Sequence, residues 1–215
     1  MSQTLLVADA PLASPLPPVA RSSAKRLLDA GVAGAALLML APLLALISLA
    51  IWLQDGGAVL FRQRRTGLGG RPFVILKFRS MWVAEDGPGL RQAQRGDDRI
   101  TPVGRVLRAL SLDELPQLIN VLRGDMSLVG PRPHALGHDV AWGAAVAGYA
   151  DRFRARPGLT GEAQVLGLRG EVTGLEAVRA RIAADNRYIE TWSLGRDISI
   201  LLRTIPLIFN DPRAY

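Results

Sequence analysis

From Ala30 to Leu53 the chain reads AGVAGAALLMLAPLLALISLAIWL, 24 residues without a charge. At about 1.5 Å of rise per residue a helix of that length is about 36 Å long, enough for a hydrocarbon core of about 30 Å. This composition belongs in lipid, so the fold is a membrane segment joined to whatever the rest of the chain builds. Two features argue against a plain crossing. Pro42 lies near the middle, and its missing N–H and ring clash kink or break a helix. Basic residues flank both ends, Lys25 and Arg26 before the run and Arg62, Arg64, Arg65 and Arg71 after it, and positive charge favours the cytoplasmic side. A re-entrant helix–break–helix, dipping into one leaflet and returning, satisfies both ends. A single kinked crossing is the alternative the residues leave open. A cleaved signal peptide fits poorly with so long a run behind so long a tail.

Working outward, residues 1–23 carry Pro11, Pro15, Pro17 and Pro18 with several Ala and Ser and no helical period, which reads as a flexible tail. Beyond the anchor the chain reads as globular. Val59–Phe61 and Phe73–Phe78 are apolar runs separated by Gly67, Gly69, Gly70 and Pro72, the pattern of a hairpin. Residues 84–99 are polar and glycine-rich, as in a mobile loop. Val103, Val106, Leu107 and Leu110 have helical spacing. Ser111 with Glu114 three residues on makes a capping box ahead of a second apolar face, Leu115, Leu118, Ile119 and Leu122. Pro133 and Gly137 mark a turn, residues 138–155 are a further helical candidate, and 175–190 read as an amphipathic helix. Ile198 to Phe209 is apolar enough to lie on a membrane surface. The expected fold class is α+β: a mostly helical small membrane-associated domain with a short β-hairpin and an N-terminal re-entrant membrane helix. Its divisions are a tail (1–23), the anchor (24–58) and a catalytic domain (59–215).

Composition narrows the partners. The 215 residues are 49% hydrophobic, with mean hydropathy +0.19, net charge +7 and a pI of about 10.9. Such a balance favours an anionic partner, whether nucleic acid, an acidic membrane face or a phosphorylated substrate, although arginine-rich coding bias alone produces the same balance. A nucleic-acid module would gather its basic residues on one stripe with aromatic platforms. Here arginine is spread along the chain and aromatics are 6%, so no nucleic-acid partner is expected. A membrane-tethered binding module and a non-catalytic scaffold remain the competing classes. The absence of cysteine excludes disulfides and thiolate metal sites.

The chemistry concentrates around Asp113 and Glu114. Adjacent helical residues point about 100° apart, so the two carboxylates do not share a face, and a helix N-terminus favours both as anions. An ionised Asp is a candidate nucleophile toward phosphorus and a hard oxygen ligand for magnesium. An isolated Asp-Glu pair in a first turn is ordinary capping, but the surroundings are unusual. Arg105 and Arg108 are neighbours on one helix face, and Arg123 and Arg132 follow. Arginine's planar fork suits phosphate oxygens. Pro131 and Pro133 restrict the backbone on both sides of Arg132; a rigidly presented Arg fits a pyrophosphate or nucleotide site, a solvated turn being the plainer reading. Lys77 and Arg79, two apart on a strand, face the same side and are candidates for the same pocket.

The blocks Ser111-Leu112-Asp113-Glu114-Leu115-Pro116-Gln117-Leu118 and Gly124-Asp125-Met126-Ser127-Leu128-Val129-Gly130-Pro131-Arg132-Pro133 resemble the signature of the bacterial sugar transferases, the monotopic phosphoglycosyl transferases. Lys77-Phe78-Arg79-Ser80-Met81, Pro157-Gly158-Leu159-Thr160-Gly161, Ala163-Gln164-Val165, and Asp185, Tyr188, Trp192-Ser193-Leu194 and Asp197 are similar to further blocks. The likeness covers residues 24–215. It implies that Asp113 attacks the phosphorus nearest the sugar of a UDP-sugar, releasing UMP and leaving an aspartyl-phosphosugar intermediate that undecaprenyl phosphate then accepts. It also implies that Glu114 supports Asp113, that Mg2+ held at Asp113 offsets phosphate charge, that Arg108 binds phosphate and that Arg132 lies near the nucleotide, with Gln164 and Asp185 among the substrate-binding positions. The implied anchor is a re-entrant helix broken near a proline, and the implied location is the bacterial inner membrane with the catalytic domain on the cytoplasmic face; self-association is left open. Glu162 departs from the pattern, since many relatives carry Trp there. His134, Gly167, Arg169-Gly170-Glu171 and the Ala214-Tyr215 terminus resemble the exopolysaccharide branch, which implies a hexose such as glucose or galactose.

Overall fold

A computed structural model describes residues 16–82, 97–168 and 174–210. The 84–99 segment read as a loop lies largely outside these residues, as do Arg169-Gly170-Glu171 and the Ala214-Tyr215 terminus.

Helix α1 (Pro18–Arg21) is one turn, and its Val19 is buried in the main core. Residues 18–21, which the sequence suggests belong to a flexible tail, are therefore helical, and Val19 holds them against the core. Helix α2 (Ser23–Asp55) follows, 33 residues long and capped by the Ser22 side chain, which accepts from the Lys25 amide at 3.2 Å. Gly56 ends it at φ 68°, a left-handed conformation that glycine adopts without Cβ strain. Helical structure runs on through Pro42 rather than stopping there. Proline withdraws only one donor, and the Leu- and Ala-rich turns on either side favour helix strongly enough to continue.

One stripe of α2 faces the body of the protein. Ala33, Ala36, Leu37 and Leu40 pack on one core cluster, and Leu43, Leu44, Ile47 and Ile51 on another. The steps of three and four residues are the helix period. The opposite face is apolar and bare: Leu38 is 80% exposed and Met39 76%. A face of that kind, on so long a helix, is long and apolar enough to be a candidate surface for lipid.

Strands β1 (Leu60–Thr66) and β2 (Pro72–Phe78) form the expected antiparallel hairpin, in register from Leu60↔Phe78 to Thr66↔Pro72. Met81 and Ile100 bridge antiparallel. Helix α3 (Pro102–Ala109) starts at Thr101, whose hydroxyl accepts from the Gly104 amide. A 3-10 turn (Leu112–Glu114) then leads to α4 (Gln117–Arg123). The capping box is absent: Ser111 sits at φ 55° without a side-chain cap, and the Glu114 carboxylate is turned to Lys77 and Arg132. Strong ion pairs outcompeted a local hydrogen bond to the backbone.

Strands β3 (Ser127–Val129) and β4 (Gly158–Thr160) pair in parallel, which demands a long crossover. That crossover is α5 (Leu136–Ala145) and a 3-10 segment (Tyr149–Arg154), so the helical reading of 138–155 holds for its first part only. Gly130 and Gly158 let the two strands close: a Cβ on Gly158 would lie 2.1 Å from the Gly130 nitrogen. Helices α6 (Glu162–Val165), α7 (Leu175–Glu190) and α8 (Leu194–Asn210) complete the chain. The main core joins Val19, Ala33, Ile75, Val121, Met126, Val129, Tyr188 and Ile200, side chains from anchor, hairpin and C-terminal helices alike. On α8, Ile198, Leu202 and Ile205 form an exposed apolar stripe.

Candidate active site

Asp113 and Glu114 lie in the 3-10 turn between α3 and α4, not in the first turn of a regular helix. The left-handed Ser111 makes a sharp corner at the end of α3. A non-glycine residue there is uncommon and marks a fold that enforces the geometry. The corner turns Asp113 inward, where it is 7% exposed.

The two carboxyls have different surroundings. Glu114 Oε1 accepts from Lys77 Nζ at 2.7 Å and from Arg132 Nη2 at 2.8 Å, and Oε2 lies 3.4 Å from Arg132 Nη1. Burial works to raise its pKa, but Arg132 and Lys77 outweigh this and hold the carboxyl well below its usual range. Asp113 is pushed the other way. Burial raises it, the Glu114 charge adds to the rise, and Lys77, Arg108 and Arg132 offset part of it. The helix-dipole stabilisation expected of both acids is therefore not what governs Asp113. Paired acids with opposed shifts are a pattern of catalytic sites.

The candidate positions divide clearly. Lys77 and Arg132 meet Glu114, and Arg108 acts on Asp113 through its charge. Pro131 and Pro133 flank Arg132 and, with Thr66, Gly67 and Phe153, line a small open hollow. Arg105 is exposed on α3, and Arg123 is exposed at the end of α4. Arg79 does not join Lys77. It lies just beyond the end of β2, where it forks onto Asp55 at the end of α2. Gln164 is buried, its amide donating to the Leu159 carbonyl at 3.2 Å. Asp185 is 1% exposed and paired with Arg152 at 2.9 Å, so it meets other protein groups instead of facing the dyad. Glu162, where the family pattern has Trp, is a buried acid that ties α7 through Arg187 (2.6 Å) and α8 through Arg196 (2.5 Å).

Arg152 escapes sequence reading altogether. It is 2% exposed and reaches Asp185, His134, Tyr149 and the Arg132 carbonyl. Asp139 closes the network by accepting from Tyr149 at 2.6 Å and Thr66 at 2.6 Å. One basic residue among 26 carries no mark of burial.

The model of the bacterial sugar transferase family matches residues 20–211. The chain belongs to that family. Among relatives of this transferase, a UDP-glucose:undecaprenyl-phosphate glucose-1-phosphate transferase of Caulobacter vibrioides is 60% identical over 94% of this chain and 75% of its own length. A protein of the same name from Escherichia coli is 46% identical over 89% of this chain, but the match covers 41% of that longer protein. An exopolysaccharide production protein of Rhizobium leguminosarum is 43% identical over 84% of this chain and 92% of its own length.

No group of three or more His, Cys, Asp or Glu side chains among the described residues could hold a metal unaided. Magnesium needs less than that, since one or two carboxylates, waters and substrate phosphates commonly suffice. With Glu114 engaged by two cations, Asp113 is the carboxylate of the dyad suited to this role.

Proposed function

We propose that the chain transfers a hexose-1-phosphate, with glucose the leading candidate, from a UDP-sugar to undecaprenyl phosphate, as the first membrane step of exopolysaccharide assembly. An Asp113 carboxylate oxygen attacks the phosphorus nearest the sugar, and the bond from that phosphorus to the bridging oxygen breaks with loss of UMP. A phosphate oxygen of undecaprenyl phosphate then attacks the aspartyl-phosphosugar, freeing Asp113 and giving an undecaprenyl diphosphate sugar. Such transfers depend on positioning and charge stabilisation. Lys77, Arg108 and Arg132 supply the positive charge, and Glu114 holds two of these cations in place. Magnesium at Asp113 would supply further charge compensation on the diphosphate.

The observation that carries this reading is the division within the dyad: Glu114 is engaged by Lys77 and Arg132, and Asp113 beside it is buried among the same cations. The names of the relatives support the donor, the acceptor and glucose. A place on one side of the membrane is supported by the two ends of α2, which both fasten to one body, Lys25 to Asp197 at 2.7 Å at the start and Asp55 to Arg79 at the end, and the basic residues on both flanks of the apolar run favour the cytoplasmic side. A helix so held brings a lipid phosphate and a soluble nucleotide to the same boundary.

The test is UMP release from a panel of UDP-sugars by the membrane-reconstituted protein with magnesium and undecaprenyl phosphate. UDP-glucose is expected to give acceptor-dependent UMP. Release from no donor by folded protein would overturn the reading, and release from another UDP-sugar alone would replace glucose.

A further inference from the structure

The Pro131-Arg132-Pro133 segment is held by all three of its backbone carbonyls. Pro131 accepts from the Gly158 amide at 2.9 Å, Arg132 from Arg152 Nη2 at 2.5 Å, and Pro133 from Arg65 Nη1 at 3.5 Å. The middle contact is distinctive because it is the only one of the three made by a side chain that is itself almost wholly buried and fixed on every side. Arg152 Nε and Nη2 both reach Asp185 Oδ2, at 3.3 and 2.9 Å, while Nη1 donates to His134 Nδ1 at 2.6 Å. His134 accepts there, so its proton sits on Nε2 and the ring is neutral; burial, then Arg152 and three further guanidiniums, hold its pKa well below the usual range. The planar fork of arginine is what allows one side chain to satisfy an acid, an imidazole and a carbonyl at once.

We propose that Arg152, oriented by Asp185, is a positioning residue for the transfer: by gripping the Arg132 carbonyl it sets where the Arg132 guanidinium meets the donor diphosphate, and Asp185 influences the reaction only through this contact. The inference rests on the reading of Arg132 as a diphosphate-binding group. It moves Asp185 from a substrate contact to a support one residue removed from it. Lysine at 152 keeps the charge near Asp185 but cannot also span His134 and the carbonyl.

The reconstituted full chain tests this in two ways. Arg152→Lys and Asp185→Asn are expected to raise KM for UDP-glucose about tenfold, the scale of one charge-assisted hydrogen bond, with a smaller change in kcat. In an Arg132→Gln background the same substitutions should add little, because the group they position is gone. Full additivity in that background, or an unchanged KM in both folded variants, would overturn the proposal. Hydrogen exchange gives an activity-free readout: the Gly158 amide, which donates to the Pro131 carbonyl, should exchange faster in Arg152→Lys while α4 and β2 keep wild-type protection. Unchanged exchange at that amide overturns the relay whatever the donor. Wild-type protein that releases no UMP from any UDP-sugar instead overturns the transferase reading, with the relay still decided by exchange.

Discussion

At the scale of single residues, two neighbouring carboxyls differ in charge environment. Glu114 has a folded pKa below its ordinary 4.5, because Arg132 and Lys77 overcome its burial. A depressed acid stabilises the folded state above its unfolded pKa, and that contribution is lost as pH falls through the lower folded value. Glu114→Gln should therefore destabilise the protein at neutral pH, by about 1–3 kcal/mol for a largely buried charged pair with some solvent screening, and the loss relative to wild type should shrink in acid; thermal melts across pH check both. Asp113 has the opposite sign. Burial raises its pKa above 3.8, so its nucleophilic form disappears at a higher pH than for an ordinary aspartate. The acid limb of kcat/KM for UMP release should lie above that value and shift downward in Arg132-intact, Glu114→Gln protein, where the neighbouring negative charge is gone. An acid limb at or below the ordinary aspartate range would contradict this assignment.

At the scale of elements, α2 makes a topological prediction. Its two ends are fastened to one body, and an apolar stripe runs along that body for most of its length. Both ends should thus lie on the same side of the bilayer. The chain has no cysteine, so Ala24→Cys and Ala58→Cys, both at exposed positions, give clean single labels. A membrane-impermeant maleimide should reach both in inside-out vesicles and neither in right-side-out ones; labelling from opposite sides would establish a full crossing. Much of this element was legible beforehand. The 24-residue run announces itself by composition, and the hairpin, α3, α4 and α7 follow from spacing and turn residues. What spacing could not supply was competition between partners. Ser111 reads as a cap only while Glu114 is free to reach back, and Lys77 and Arg132 take it. Arg79 reads as a site residue until Asp55, 24 residues away, claims it. Pro42 reads as a break, yet the helix carries on around it.

At the scale of the whole molecule, the anchor and the catalytic body share one core. Lys25 is 4% exposed and lies 2.7 Å from Asp197 and 3.8 Å from Asp29, while Asp29 accepts from the Ser127 hydroxyl and the Leu128 amide. Tyr188 adds a hydrogen bond to Asp197 at 2.7 Å. One lysine thereby compensates two buried acids that join α2, β3 and α8. Lys25→Met would leave both acids without their cation, and breaking a buried pair in this way costs about 3–5 kcal/mol. Detergent-solubilised Lys25→Met should unfold at markedly lower temperature than wild type; an unchanged midpoint would mean that anchor and body are held by apolar packing alone. This coupling was beyond sequence reading, because the partners are 172 residues apart, and lysine beside a membrane segment suggests a headgroup before it suggests a core.

The aspartyl-phosphosugar intermediate at Asp113 is tested by the donor half-reaction. Reconstituted protein is mixed with UDP-glucose labelled in the sugar, with magnesium and no undecaprenyl phosphate, and both UMP and protein-bound label are followed. A burst of UMP approaching one per enzyme, with label on the Asp113 peptide and neither in Asp113→Asn, is the predicted result. UMP that appears only when undecaprenyl phosphate is added, with no label on the protein, would contradict it and point to direct transfer between the two substrates.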